Sequence, residues 1–341
     1  MSRMMKALVW TAPNEIELLE LPIPEPNANE ALIKVKWCGI CGSEVESFLS
    51  AKRRRPPLIM GHEFSGVVEA IGEGINDLSV GESVVINPLI PCGQCYFCLN
   101  GQSNICPKRK LISMHRAGGF AEYVCVPRRC LYRLPENLLQ RDAALTEPLA
   151  NVIHAFRRIG RFMIEDFVII GAGTIGLLCL QLAKLIYNAK VIVVEPVEVR
   201  REVAIHLGAD VAVSPNEEDV IKLVNEMTDG KGASVCVDAV GKGETRALSC
   251  KVLSPSGVAL WVGLHEFDSF VDGVDIVTNE KNIVGSYAYT DDDFKASMRL
   301  LCAGRICTDG WITEAPLEDG KDIFVKLVSG AEGFIKVLLK C

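Results

Sequence analysis

Two textures of hydrophobic and polar residues follow one another along the chain. Up to about residue 135 the apolar residues fall in short runs broken by turn formers, and Ala31–Lys36, Gly66–Ile71 and Ser83–Ile86 read as strands. Pro22, Pro24 and Pro26 punctuate the start, while Gly72, Gly74 and Gly81 supply turns, so this part is predicted to be mostly β. From about residue 150 to 286 the short β-branched runs Phe167–Ile170, Val191–Val194, Val211–Val213, Val235–Val237 and Val258–Val262 alternate with helical segments. Such alternation marks a parallel sheet with helical crossovers. Beyond it, Asp293–Ala303 predicts an amphipathic helix and Phe334–Leu339 a final strand, with no internal repeat or low-complexity segment.

The run Phe167–Ile170 leads into Gly171-Ala172-Gly173-Thr174-Ile175-Gly176 and then the helical segment Leu177–Leu185. At a strand-to-helix turn this pattern is a dinucleotide fingerprint. The first glycine makes the turn, the second admits the pyrophosphate, the third lets helix and strand pack, and the helix N-terminus offers free amides to the phosphates. Glu195 ends the next strand, where a carboxylate accepts hydrogen bonds from the adenosine ribose and repels the extra phosphate of NADP, which favours NAD. Arg200 and Arg201 follow and are the residues that could instead receive a 2′-phosphate. Asp238–Gly241 and Val262-Gly263 resemble later strand ends of the same fold, on the nicotinamide side. The seventeen uncharged residues Phe167–Ala183 are short for a bilayer and are explained by this motif.

A chain of 341 residues is expected to form two domains. Its net charge of −7 argues against a general nucleic-acid binder, which needs a basic face. Lys52, Arg53, Arg54 and Arg55 form the one dense basic run, read as a solvated loop or as a seat for an anionic group. Met1–Trp10 lacks the apolar run of an export signal, so the cytoplasm is the expected compartment, with no membrane partner. Fourteen cysteines suit that reducing setting if some bind metal and the others are small apolar core residues.

Cys92, Cys95, Cys98 and Cys106 stand at C-x2-C-x2-C-x7-C spacing. Four converging thiolates complete a tetrahedral zinc shell without an open position, so this zinc is expected to be structural. An iron–sulfur cluster is the alternative, which Pro107 favours and the x7 gap does not. A second constellation is dispersed: Cys41, His62, Glu63 and Glu147. One thiolate, one imidazole and one or two carboxylates suit a catalytic zinc, which keeps three protein ligands and one position for water or substrate. His115, His154, His206 and His265 have no partner spacing and are taken as structural or surface residues.

Gly61-His62-Glu63, Cys38-Gly-Ile-Cys-Gly-Ser43, the four-cysteine lobe and Thr146-Glu147-Pro148, all preceding the glycine fingerprint, resemble the zinc-containing medium-chain dehydrogenase family over essentially the whole chain. The pattern is most similar to the sorbitol, polyol and threonine dehydrogenase branch. The resemblance implies an α/β chain with a GroES-like β-rich catalytic domain, residues 1–148 and 287–341, carrying the zinc lobe at about 88–110. A doubly wound Rossmann domain, 149–286, would be inserted in it, with the active site in the cleft between them. It implies two zinc ions per chain and NAD. The implied catalytic ligands are Cys41, His62 and Glu63, with Glu147 a fourth ligand or a partner of the zinc-bound water, and Cys38 structural. Zinc lowers the pKa of a bound hydroxyl, so a secondary alcohol gives up its proton and then a hydride to become a ketone. Ser43 is the implied start of the proton relay. Relatives commonly carry histidine where this chain has Glu46, so either Glu46 or solvent takes the proton.

The candidate substrates are a polyol, cyclitol, aminocyclitol or sugar alcohol, phosphorylated or not, with L-threonine or a short-chain secondary alcohol as the alternative. A non-catalytic zinc- and NAD-binding regulatory protein is the reading from a different class. A zinc-free quinone or enoyl reductase would have no need of Cys41, His62 and Glu63 together. The family resemblance implies a homodimer or homotetramer, for which the edge of the parallel sheet near residues 270–286 is the expected interface.

Overall fold

The computed structural model describes residues 3–160, 164–330 and 333–341. They form two compact units, residues 1–147 with 290–304 and 311–341, and residues 148–289 with 305–310.

The first unit is β-rich. Its seven-stranded sheet runs in the order Leu131–Arg133, Ser83–Ile86, Glu63–Ile71, Glu30–Ile40, Lys336–Lys340, Ile312–Pro316, and Tyr123–Pro127 also pairs with Glu30–Ile40. The last two strands of that order are parallel to each other, although neighbouring pairs are antiparallel. Ile33, Val35, Phe64, Val68, Val84, Ile86, Val337 and Leu339 point into one apolar core. Each such side chain contributes about 1.5–3 kcal/mol of hydrophobic free energy. Phe324 packs on Phe48 at 5.5 Å and on Phe120 at 5.9 Å between ring centroids, which docks the helix Gly42–Ser50 onto this core. That helix was not expected in a stretch read as mostly β; its two glycine-flanked cysteines masked a start signal that the capping geometry reveals.

The second unit holds a six-stranded parallel sheet in the order Val211–Val213, Lys190–Val194, Asp166–Ile170, Ala233–Asp238, Leu253–Trp261, Asn282–Gly285. Its first three strands in sequence run outward one way and the next three the other. The order therefore reverses between Asp166–Ile170 and Ala233–Asp238, and ligands of open α/β sheets bind beyond the strand ends at such a reversal. Phe167, Val168 and Ile169 have no exposed surface, as expected of a strand covered on both faces. The edge strand Asn282–Gly285 is mostly exposed and too polar at its start to be read as a strand from the sequence.

The helix foreseen at Asp293–Ala303 spans Asp291–Cys302, and Thr290 caps it by accepting from the Asp293 N–H. Residues 305–310, assigned from sequence to the returning segment, group instead with the parallel-sheet unit. Gln181 explains this correction: its amide donates to the Cys307 carbonyl at 3.2 Å and accepts from the Cys307 N–H at 2.7 Å.

Candidate metal and cofactor sites

Strand register assembles the first site. Glu30–Ile40 pairs with Glu63–Ile71 so that Gly39 lies opposite Glu63, and the chain then turns at Cys41 into the helix Gly42–Ser50. The Cys41 sulfur, a ring nitrogen of His62 and a carboxylate oxygen of Glu63 come within 4.8 Å of one another. His62 and Glu63 are buried and Cys41 is partly open. Cys41 is the N-cap of the helix Gly42–Ser50.

A carboxylate beneath the group orients it. Glu44, fully buried, accepts at Oε1 from His62 Nδ1 at 2.7 Å and from the Gly61 N–H at 2.7 Å, and at Oε2 from the Cys41 N–H at 3.1 Å. With Nδ1 so engaged, Nε2 is the nitrogen left for a metal. Burial alone would raise the Glu44 carboxyl, but His62, Arg54 and the Cys41 amide outweigh it and hold it at about 2. Burial pushes the His62 ring down, and Glu44 and Cys41 together raise it well above its ordinary value. An imidazole in so negative a place wants a cation at its second nitrogen, and a dication fits. Gly61 of the Gly-His-Glu turn has φ +96° and no room for a side chain, since a Cβ would stand 2.7 Å from Cys38 Sγ and from the Phe120 nitrogen.

Two further cations frame the group. Lys336, fully buried, pairs with Glu63 and donates to the Ile40 carbonyl at 3.1 Å. Arg54 is also buried, donating from Nε to the Ser113 carbonyl at 2.8 Å and from Nη1 to the Ser43 carbonyl at 2.8 Å and the Ser47 hydroxyl at 2.9 Å. Its Nη2 reaches the Ser43 hydroxyl at 3.4 Å. The basic run is thus neither wholly solvated nor wholly free for an anion: Lys52, Arg53 and Arg55 are exposed, but Arg54 is a buried brace. Ser43 Oγ lies 3.5 Å from Cys41 Sγ, and the Glu46 carboxylate faces Arg53 Nε at 3.9 Å. Ser113, at φ +73°, places its hydroxyl 3.4 Å from His62 Nδ1.

In the second cluster the ligand atoms of Cys92, Cys95, Cys98 and Cys106 again lie within 4.8 Å of one another, with Cys95 and Cys98 sulfurs 3.4 Å apart. The backbone N–H of Gln94 helps lower Cys92 to about 6, whereas desolvation and the bond with Cys95 push Cys98 up to about 12. Thiols this close do not all ionise unaided, and a dication among them removes the conflict.

The glycine motif of the second unit has three different environments. Gly171 turns at φ +97°; a Cβ on Gly176 would collide with the Gly171 carbonyl; a Cβ on Gly173 would meet no atom within 4 Å. Packing therefore explains the first and third glycines. The second faces open space at the start of the helix Thr174–Tyr187, a place a pyrophosphate fits. No side-chain hydrogen bond caps the start of that helix. Glu195 is buried and accepts from the Ala172 N–H at 2.8 Å and the Val197 N–H at 3.1 Å, tying the second strand end to the glycine turn.

The alcohol dehydrogenase GroES-like domain pattern matches residues 27–136, and the zinc-binding dehydrogenase pattern matches residues 174–303. The whole chain is 35% identical to D-arabitol-phosphate dehydrogenase of Enterococcus avium, covering 98% of that protein. This chain belongs to the zinc-type alcohol dehydrogenase superfamily. It is 32% identical to L-threonine 3-dehydrogenase of Pyrococcus horikoshii, with both chains covered completely. Its fold superposes on a short chain alcohol dehydrogenase from Escherichia coli CFT073 complexed with NADH at TM-score 0.92, 29% identity and 99% coverage of each chain. As a zinc-type dehydrogenase it is an alcohol oxidoreductase using zinc and a nicotinamide cofactor. The GroES-like and Rossmann-like architecture expected from the sequence is present.

Of the residues singled out in the sequence of this dehydrogenase, the structure brings together Cys41, His62 and Glu63, with Ser43 beside them. Glu147 is buried in the first turn of the helix Thr146–Arg157. Thr174 and Ile175 open the glycine-motif helix, Arg200 lies on the helix Glu198–His206, and Val262 and Gly263 follow the strand Leu253–Trp261. Gly263 packs against the Gly241 backbone, leaving no room for a side chain at either. Arg201 donates to the carbonyls of Glu195 and Pro196. Sequence reasoning missed Glu44, Arg54 and Lys336. Glu44 did carry a signal, an acidic residue three positions after a helix N-cap.

Proposed function

We propose that the enzyme oxidises the secondary alcohol of a polyol, cyclitol, aminocyclitol or sugar alcohol, free or phosphorylated, to the ketone with NAD. The observation that carries this reading is the Cys41–His62–Glu63 group with a serine hydroxyl 3.5 Å from its sulfur. A thiolate, an imidazole and a carboxylate are a catalytic zinc set, and the hydroxyl gives the alcohol proton a first stop. Bound zinc and NAD supply the acidification of the substrate hydroxyl and the acceptor for its hydride. The chain's own residues do the rest. Cys41, His62 and Glu63 hold the metal, and Glu147, which is not among the three gathered ligand groups, is proposed as fourth ligand or as holder of the metal-bound water. Glu44 keeps His62 in the ligand tautomer, and Arg54 holds Ser43, whose Oγ passes the proton on to Glu46 or to solvent. Cys92, Cys95, Cys98 and Cys106 hold a second, structural zinc.

Glu195 supports NAD over NADP, because a buried carboxylate at the end of the second strand, tied to the glycine turn, disfavours a ribose 2′-phosphate. The likeness to D-arabitol-phosphate dehydrogenase supports a phosphorylated polyol within the class, with the exposed Lys52, Arg53 and Arg55 as candidates for its phosphate. L-threonine is the second reading, favoured by the full-length likeness to L-threonine 3-dehydrogenase. We assign the protein to the cytoplasm on its clustered reduced thiols, and among the described residues no helix is long and apolar enough to cross a membrane. A homodimer or homotetramer is proposed through the strand Asn282–Gly285, which ends its sheet and is preceded in sequence by the exposed Phe267, Phe270, Val274 and Val277. A two-fold pairing of that edge would cover both. Phe270→Asp with Val277→Asp should then lower the mass measured by light scattering, and an unchanged mass would reject this interface.

The function is tested by following NADH formation on polyols, polyol phosphates, cyclitols, aminocyclitols, threonine and simple secondary alcohols. Wild type and Cys41→Ser are compared, with zinc content recorded for both. Turnover lost in the mutant together with one zinc per chain supports the proposal. Turnover untouched by the mutation rejects the site.

A further inference from the structure

The pair made by Lys336 and Glu63 is unusual in its surroundings. Both side chains are at least 98% buried, with relative exposures of 1% and 2%, so little water screens the pair. The ammonium has a second fixed partner in the Ile40 carbonyl at 3.1 Å. Main-chain pairing of Val337 with Ile40 and of Leu338 with Gly39 holds Lys336 at this point of the sheet. Gly39 makes the room: a Cβ there would stand 2.8 Å from Lys336 Nζ and would collide with Glu63 Oε2. The strand has given up a side chain to seat an ion pair directly behind a metal-ligand candidate.

A lysine that served the fold alone would need no metal-ligand partner. Glu63 instead gives Oε2 to a buried ammonium while a carboxylate oxygen of the same residue lies within 4.8 Å of the Cys41 and His62 ligand atoms. The Cys41 thiolate and an undivided Glu63 carboxylate would neutralise a dication, and a neutral centre acidifies a hydroxyl poorly. Resting on the zinc reading of Cys41, His62 and Glu63, we infer that Lys336 is a positioning residue that restrains Glu63, keeping it a weak ligand and the metal centre electron-poor. Removing the ammonium hands the full carboxylate charge to the metal. It also takes away a positive charge that repels the metal. Both changes tighten metal binding, whereas loss of a merely structural lysine would loosen it.

The test uses the zinc-loaded enzyme as wild type, Lys336→Met, Lys336→Gln and Lys336→Arg. It reads the rate at which the Cys41-site zinc passes to an excess of chelator and the visible d–d bands after cobalt exchange. Lys336→Gln, which keeps hydrogen-bonding reach without charge, stands in where Lys336→Met does not fold. The neutral variants should release zinc about 10-fold more slowly or better, on the scale at which groups behind metal ligands act, and shift the cobalt bands. Lys336→Arg should follow wild type. In a Glu63→Gln background the neutral substitution should change the rate less than about 3-fold, because the ligand it acts through is gone. Release as fast as or faster than wild type, or an equal change in both backgrounds, overturns the inference while leaving the zinc site standing. Wild type that holds no zinc removable by Cys41→Ser overturns the metal reading and this inference with it.

Discussion

Replacing Glu44 by Gln is the sharpest test of how the site is held. The substitution keeps the shape of the side chain but swaps one acceptor oxygen for an NH2 group. Glu44 receives three N–H donors, from His62, Gly61 and Cys41, so an amide must turn a donor toward one of them. It also loses the charge that keeps the proton on Nδ1 of His62. The carboxyl is held at about 2 against an ordinary 4.5, a difference worth about 3 kcal/mol of folding free energy for this fully buried group. Because the folded-state value is depressed, that stability is fully present above about pH 4.5 and disappears as the pH falls through about 2. The metal-free variant should therefore be about 3 kcal/mol less stable than wild type at pH 7, and the gap should close progressively below pH 4.5. Urea melts at several pH values measure it. Zinc affinity should fall about 10- to 100-fold, the usual cost of losing a carboxylate behind a metal-bound histidine. Unchanged zinc affinity together with a gap that stays constant with pH would refute the orienting role.

Arg54→Met removes the guanidinium donor to the Ser43 and Ser113 carbonyls and the Ser47 hydroxyl; a loss of about 3 kcal/mol is expected in thermal or urea unfolding, with kcat falling further than KM rises. Cys98→Ser should cost one zinc per chain and lower Tm while the Cys41-site zinc remains, as measured by metal analysis after gel filtration. On the proposed use of NAD, Glu195→Ala should shift the NAD:NADP ratio of kcat/KM toward NADP by about 10-fold or more, since it removes a carboxylate; an unchanged ratio would place cofactor selection elsewhere.

What the sequence made legible was chemistry written in local spacing. The glycine turn and the four-cysteine lobe lie within six and fifteen residues of chain, so local backbone brings their groups together. Strand alternation announced the parallel sheet for the same reason. Glu44, Arg54 and Lys336 depend on tertiary contacts. Arg54 sits in a run of four basic residues, and nothing in the run says which one turns inward. Lys336 meets Glu63 across 273 residues of chain, a juxtaposition set by sheet order rather than by any motif. Even Glu44 was hidden, because the helix it serves begins at a cysteine instead of a serine or threonine.

The position of the strand Lys336–Lys340 has a consequence for biosynthesis. It lies in the interior of its sheet, between Glu30–Ile40 and Ile312–Pro316, yet it follows every other strand in the chain. While the ribosome is still adding residues, Cys41, His62 and Glu63 are already exposed to the cell, but Glu30–Ile40 has an open edge and Glu63 lacks its cation. The parallel-sheet unit can fold early, since nearly all of it is continuous in sequence. The β-rich unit cannot close until Lys336–Lys340 is made. A nascent chain that has made Cys41, His62 and Glu63 is thus able to meet zinc before Lys336 is there to tune it.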